Sequence, residues 1–139
     1  MAKIRVVLAD NHREMLAAIR RILDEEFEVV GAVEDGEQAV MTVLSLNPDV
    51  LVIDISLPIL NGLQAAKQLQ AGNCRAKVIF LSVHEGPEFV EAACSAGASG
   101  YVSKARLSTD IIPAIHKAML GQIFISGPLP MRRDTPGLS

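Results

Sequence analysis

The chain lacks the features that would take it into a membrane, out of the cell or directly onto nucleic acid. No apolar run exceeds five residues, against the ~20 that a membrane-spanning helix needs. The first residues, Met1-Ala2-Lys3-Ile4-Arg5, lead straight into a strand-like pattern with no signal-peptide core. Only two cysteines occur, Cys74 and Cys94, in neither a disulfide framework nor a paired metal motif. They read as small semi-buried residues of a reducing compartment. Thirteen Lys and Arg against sixteen Asp and Glu leave a net charge of −3 and a pI near 5.6. Basic charge is too scarce for this chain to bind DNA or anionic lipid by itself. The expectation is a cytoplasmic protein with no membrane contact.

What is present is a core. Half of the 139 residues are hydrophobic and 21% are charged, too apolar for a disordered tail and suited to one domain. Short β-branched runs, Ile4–Ala9, Glu28–Val33, Val50–Ile53, Val78–Leu81 and Gly100–Val102, predict five strands. Between them, apolar residues recur at spacings of three and four (Met15, Leu16, Ile19, Ile22, Leu23 in the first case), which predicts helices. Asp35 with Gln38 has capping-box form, and Gly97 suits a left-handed helix end. The last helix is expected to be capped by Thr109 or Asp110, which would place Pro113 in its first turn. Such alternation predicts an α/β fold with a doubly wound, five-stranded parallel sheet in the order 2-1-3-4-5.

In sheets of this kind, sites form outside the carboxyl ends of the strands, at the switch point in strand order. The polar residues fall there: Asp10 and Asn11 after the first strand, Asp54 after the third, Ser82 after the fourth and Lys104 after the fifth. Each alone is an ordinary turn or loop residue. Together they suit a hard cation held by oxygen ligands, with Mg2+ the natural choice. A carboxylate beside it can accept a phosphoryl group, whose charge the Lys104 ammonium and Ser82 hydroxyl would share. The set predicts reversible phosphorylation of Asp54. There is no G-x-G-x-x-G, and no nucleophile–base pair accompanies Asp54, so a flavin-binding or hydrolytic enzyme on this fold fits poorly.

These residues also carry a resemblance. Ile4-Arg5-Val6-Val7-Leu8-Ala9-Asp10-Asn11-His12, Asp54-Ile55-Ser56-Leu57-Pro58…Gly62, Leu81-Ser82 and Gly97-Ala98-Ser99-Gly100-Tyr101-Val102-Ser103-Lys104 together resemble a response-regulator receiver domain of bacterial two-component signalling. The nearest likeness is to receivers that precede a LuxR-type helix-turn-helix, and it implies the flavodoxin-like receiver fold. It also implies a signalling switch, not a conventional enzyme, with self-catalysed phosphotransfer and dephosphorylation within its scope. Asp54 would be the phosphoacceptor, charged by a sensor histidine kinase. Asp10, Asn11, Asp54 and the backbone carbonyl of Ser56 would hold Mg2+. Lys104 would neutralise the phosphoryl group, Ser82 would swing toward it, and Tyr101 would turn inward. Ser56 and His84 stand where dephosphorylation is tuned; neither is a strong water-orienting group, which implies a long-lived phosphoryl state.

Asn11 departs from the family's usual pair of acids. The site loses one negative charge, and weaker Mg2+ binding with slower phosphorylation is expected. The alternative that Asn11 motivates is a degenerate receiver, acting as a phosphorylation-independent protein-interaction module. Residues 1–121 read as the receiver domain. The Pro-, Gly- and Arg-containing stretch 122–139 reads as a linker. That ending suggests a piece of a transcription factor, whose DNA contacts would come only through an output domain absent here. The first and last helices are plausible surfaces for a homodimer.

Overall fold

The computed structural model describes residues 2–84 and 86–126. Strands β1 (Arg5–Ala9), β2 (Glu28–Val33), β3 (Val50–Asp54), β4 (Lys77–Ser82) and β5 (Gly100–Ser103) alternate with helices α1 (Arg13–Leu23), α2 (Gly36–Leu46), α3 (Gly62–Ala71), α4 (Pro87–Ser95) and α5 (Leu107–Met119). All strand pairings are parallel, and the expected order β2-β1-β3-β4-β5 is observed. The expected strand count is one short. A sixth strand, β6 (Phe124–Ile125), pairs with β5 through Gly100–Phe124 and Tyr101–Ile125. It lies inside the stretch read as linker; residues 127–139 of that stretch lie outside the described residues.

The runs that predicted strands are covered on both faces, as a parallel sheet requires. Val7, Leu51, Ile53, Phe80 and Tyr101 pack with α2, α3 and α4 in one core. Val6, Leu8, Val52, Ile79, Leu81 and Val102 pack with α1 and α5 in the other. β3 is buried at every position, so the residue that ends it, Asp54, is fixed by two layers of apolar side chains. β2 is an edge strand and only partly buried.

Two local expectations need adjustment. Asp35 caps α2, accepting from the Gln38 amide at 2.8 Å, but the Gln38 side chain returns to the Glu34 amide. The full reciprocal box forms at α3 instead, between Asn61 and Gln64. Neither Thr109 nor Asp110 caps α5. One turn of 3-10 helix, Lys104–Arg106, leads straight into the helix, so Pro113 stands in its interior and costs it one backbone hydrogen bond. Gly97, with φ 84°, follows α4 in the left-handed conformation expected of it.

Candidate functional site

The carboxyl ends of β1 and β3 bring two acids together, and the end of β5 supplies a base between them. Asp10 is wholly buried and Asp54 nearly so. The Lys104 ammonium lies 2.8 Å from Asp10 Oδ2 and 3.1 Å from Asp54 Oδ2, with only 10% of its side chain exposed. Burial alone would lower the Lys104 pKa. The hydrogen bond to Asp10 and the charges of Asp54 and Asp10 outweigh it and hold the ammonium above its ordinary value. The lysine is thus a charged wall of the site, not a solvated loop residue.

Backbone amides set the carboxylates. Ser56 N donates to Asp54 Oδ1 at 3.0 Å, and His12 N donates to Asp10 Oδ1 at 2.9 Å. Beyond Asp54 the chain turns back on itself. Leu60 N reaches Pro58 O at 2.7 Å across Ile59, whose φ is 69°, a strained conformation for an exposed β-branched residue. Gly36 and Gly62 admit this loop. A Cβ on Gly62 would stand 2.4 Å from the Asp54 carbonyl oxygen, and one on Gly36 1.7 Å from that of Leu60.

Ser82 ends β4, one residue past the Leu81 that pairs with Asp54. It is fully buried, and its Oγ accepts the His84 amide at 2.9 Å. Tyr101 is buried, and its hydroxyl donates to the His84 carbonyl at 2.7 Å. Because β6 covers β5, Tyr101 does not lie on an edge strand. The exposed His84 ring stacks on Phe89 of α4, with centroids 4.3 Å apart. Ser56 is exposed at the loop surface, as is Asn11.

Asp10, Asp54 and Lys104 therefore meet directly, while Ser82 and Tyr101 meet through His84. One participant went unread in the sequence: among the described residues, Asp10, His12 and Asp54 each offer a ligand atom, all within 4.8 Å of one another. The signal was an Asp-x-His spacing just after a strand end. The donor set fits a divalent cation. Two buried carboxylates stand beside one another, and among the described residues the Lys104 ammonium is the one polar partner of Asp10 Oδ2. A separate cleft of about 580 Å³ opens at the other end of the strands, lined by Leu69, Gln70, Cys74, Arg75, Lys77 and Ser99 among others. It shares no residue with this site.

The geometry agrees with the comparisons to known proteins. The response regulator receiver domain family matches residues 6–116. The chain is 36% identical over 138 residues to the transcriptional regulatory protein YvfU of Bacillus subtilis, covering 96% of this chain and 69% of that protein. It is 34% identical over 125 residues to the response regulator UvrY of Escherichia coli, covering 88% and 57%. It thus spans little more than half of some curated relatives. Among solved structures, a LuxR-family two-component response regulator from Aurantimonas superposes with a TM-score of 0.84 at 27% identity, covering 93% of this chain and 91% of that one. No helix among the described residues is long and apolar enough to cross a membrane. Receiver domains typically bind Mg2+ at an acidic pocket, and response regulators of this type are phosphorylated by sensor kinases and have DNA-binding output domains. A buried carboxylate at the switch point, an acid and an ammonium beside it, and a family match over most of the length lead to one conclusion: this chain belongs to the response regulator receiver domain family, among relatives of the LuxR and NarL type.

Proposed function

We propose that Asp54 is the phosphoacceptor of a cytoplasmic switch whose output is transcription, and that it is charged by a sensor histidine kinase. The observation that carries the reading is the Lys104 ammonium bridging the buried Asp10 and Asp54 carboxylates at 2.8 and 3.1 Å. An Asp54 oxygen attacks phosphorus, an acyl phosphate O–P bond forms, and the donor's bond to phosphorus breaks, the leaving group taking the electron pair. Lys104, already charged and nearly dry, then pairs with a phosphoryl oxygen without reorganising. Ser82 Oγ, which accepts the His84 amide, rotates to donate its O–H to another phosphoryl oxygen, and losing the amide frees the backbone that Tyr101 holds. Asp10, Asp54 and the Ser56 carbonyl would hold a divalent cation, with Asn11 at the rim; when bound, it would supply charge that offsets the repulsion between carboxylate and phosphoryl donor. Ser56 and His84 govern water access and so the lifetime of the acyl phosphate, including any self-catalysed loss.

The receiver body takes in residues 1–121 together with β6, which extends its sheet, and DNA contacts would come through an output module of the kind that longer relatives carry. α1 and α5 offer a surface for a second copy. The test is intact mass after incubation with acetyl phosphate and Mg2+, following Tyr101 fluorescence in parallel, since the chain has one tyrosine and no tryptophan. One phosphoryl adduct, absent in Asp54→Ala, is expected. No adduct at millimolar donor and metal would refute the phosphoacceptor role and leave a phosphorylation-independent interaction module, which Asn11 already motivates.

A further inference from the structure

His12 has no role in the chemistry proposed above, yet the turn after β1 delivers its ring to the site. The backbone amide of His12 is committed to Asp10 Oδ1 at 2.9 Å, and ring Nδ1 lies 3.1 Å from the same oxygen. A ring nitrogen of His12, an Asp10 oxygen and an Asp54 oxygen all fall within 4.8 Å of one another. Ligands on one divalent ion at ~2.1 Å stand no more than ~4.2 Å apart, so the three need to close by under about an ångström.

Charge and donor chemistry then decide which ion. The side chains in direct contact are two carboxylates and one ammonium, leaving one net negative charge, and the amide of Asn11 adds none. Magnesium binding depends on oxygen ligands and their charge, and here that charge is low. A neutral imidazole adds nothing to the charge but a strong dative bond to borderline first-row ions, for which magnesium has no counterpart.

We propose that a His12 ring nitrogen is a third side-chain ligand of the divalent-ion site, beside Asp10 and Asp54, filling the place of the carboxylate that Asn11 lacks, and that the site therefore selects nitrogen-accepting transition-metal ions over magnesium. The inference rests on the divalent-ion site of the proposed function and refines it. Because His12 is exposed at 68% of its side chain, its replacement leaves the core untouched.

Calorimetric titration of the full chain with Co2+ and, separately, Mg2+ tests the idea on wild type, His12→Ala, His12→Gln and Asn11→Asp. The visible spectrum of the Co2+ form provides a second readout. Wild type is expected to bind Co2+ at least ~10-fold more tightly than Mg2+. Both His12 variants should lose most of that margin and shift the cobalt spectrum, with Mg2+ affinity changed less than about threefold. Asn11→Asp should tighten Mg2+. If His12 only orients Asp10, both ions weaken alike and their ratio stays fixed, which overturns the proposal. A Co2+ preference that survives His12→Ala, from other imidazoles or the thiols, overturns it too. Failure of both ions to bind wild type would sink the divalent-ion site itself. Asp54 phosphorylation in Mg2+ with a Co2+ to Mg2+ ratio near one would sink only the role of His12.

Discussion

Replacing Lys104 with methionine keeps most of the side-chain volume and removes the charge between Asp10 and Asp54. Each ion pair, near 3 Å, is worth about 5 kcal/mol in gross Coulomb terms at an effective dielectric of ~20. Desolvation of the ammonium offsets much of this, but the desolvated carboxylates remain in the variant, now facing each other unpaired. Removing one partner of a buried ionic group typically costs about 3–5 kcal/mol. The small exposure of Lys104 favours the low end, about 3 kcal/mol at pH 7. The loss should shrink when a divalent cation replaces the missing charge. Urea unfolding followed by circular dichroism at pH 7, with and without millimolar divalent ion, and at alkaline pH measures all three conditions. In the wild type, the raised Lys104 pKa contributes stability that is fully present below the ordinary lysine value and lost as pH rises through the folded-state value. The methionine variant should therefore show a flatter alkaline limb. A loss under about 1 kcal/mol, or a large loss indifferent to both pH and metal, would mean that the carboxylates do not depend on the ammonium.

Two further substitutions probe the loop behind the site and the segment beyond α5. Gly62→Ala places a methyl 2.4 Å from the Asp54 carbonyl oxygen, and should cost about 3 kcal/mol and slow Asp54 phosphorylation in the mass assay. Gly72→Ala, whose methyl meets nothing closer than 3.6 Å, should stay within about 0.5 kcal/mol of wild type. Asp110 is buried and accepts from Arg106 Nε, the Thr109 hydroxyl and the Ser126 hydroxyl. Burial pushes its carboxyl up, but the bonds from Ser126, Thr109 and Arg106, with the Arg106 charge, hold it below the usual range. Its contribution is present above the ordinary carboxylate value and lost as pH falls through the lowered folded-state value. Asp110→Asn should cost about 1.5–3 kcal/mol at pH 7, and markedly less in urea melts near pH 3; an equal cost at both values would count against the charge.

Strands β1, β3, β4 and β5 were legible because a parallel strand buried on both faces needs a continuous apolar run, and nothing else in a chain of this size does. The positions of Asp10, Asp54, Ser82 and Lys104 followed, since a residue that ends such a strand has little freedom in where it points. β6 was not legible. Phe124 and Ile125 sit between glycines, in composition a linker, and become a strand only because β5 leaves an edge beside them. The start of α5 was misjudged because Thr109 and Asp110 look like caps. Their side chains instead serve the cluster that receives Ser126, which is invisible until β6 is placed. His12 was missed because a side chain two residues past an aspartate reaches it only when the intervening turn has the right dihedral angles, and no residue type at Asn11 announces them.

Tyr101 joins these readable and unreadable parts. Its hydroxyl holds the His84 carbonyl at 2.7 Å, and its own carbonyl accepts the Ser126 amide at 2.8 Å. Upstream, the His84 amide rests on Ser82 Oγ; downstream, Ser126 Oγ rests on Asp110. A line of hydrogen bonds therefore runs from the strand ends around Asp54 to the point where the described chain leaves the sheet. Contiguity by itself transmits nothing; a path becomes a switch when one link has two stable partners. On the proposed function Ser82 is that link: its Oγ accepts the His84 amide, and a rotation that turned its O–H toward a phosphoryl oxygen on Asp54 would break that bond. A buried, packed tyrosine with both ends tied would pass that rotation on to β6, since a close-packed interior shifts between arrangements instead of deforming smoothly. The sixth strand, which composition assigned to a linker, is then the element best placed to feel the state of the site.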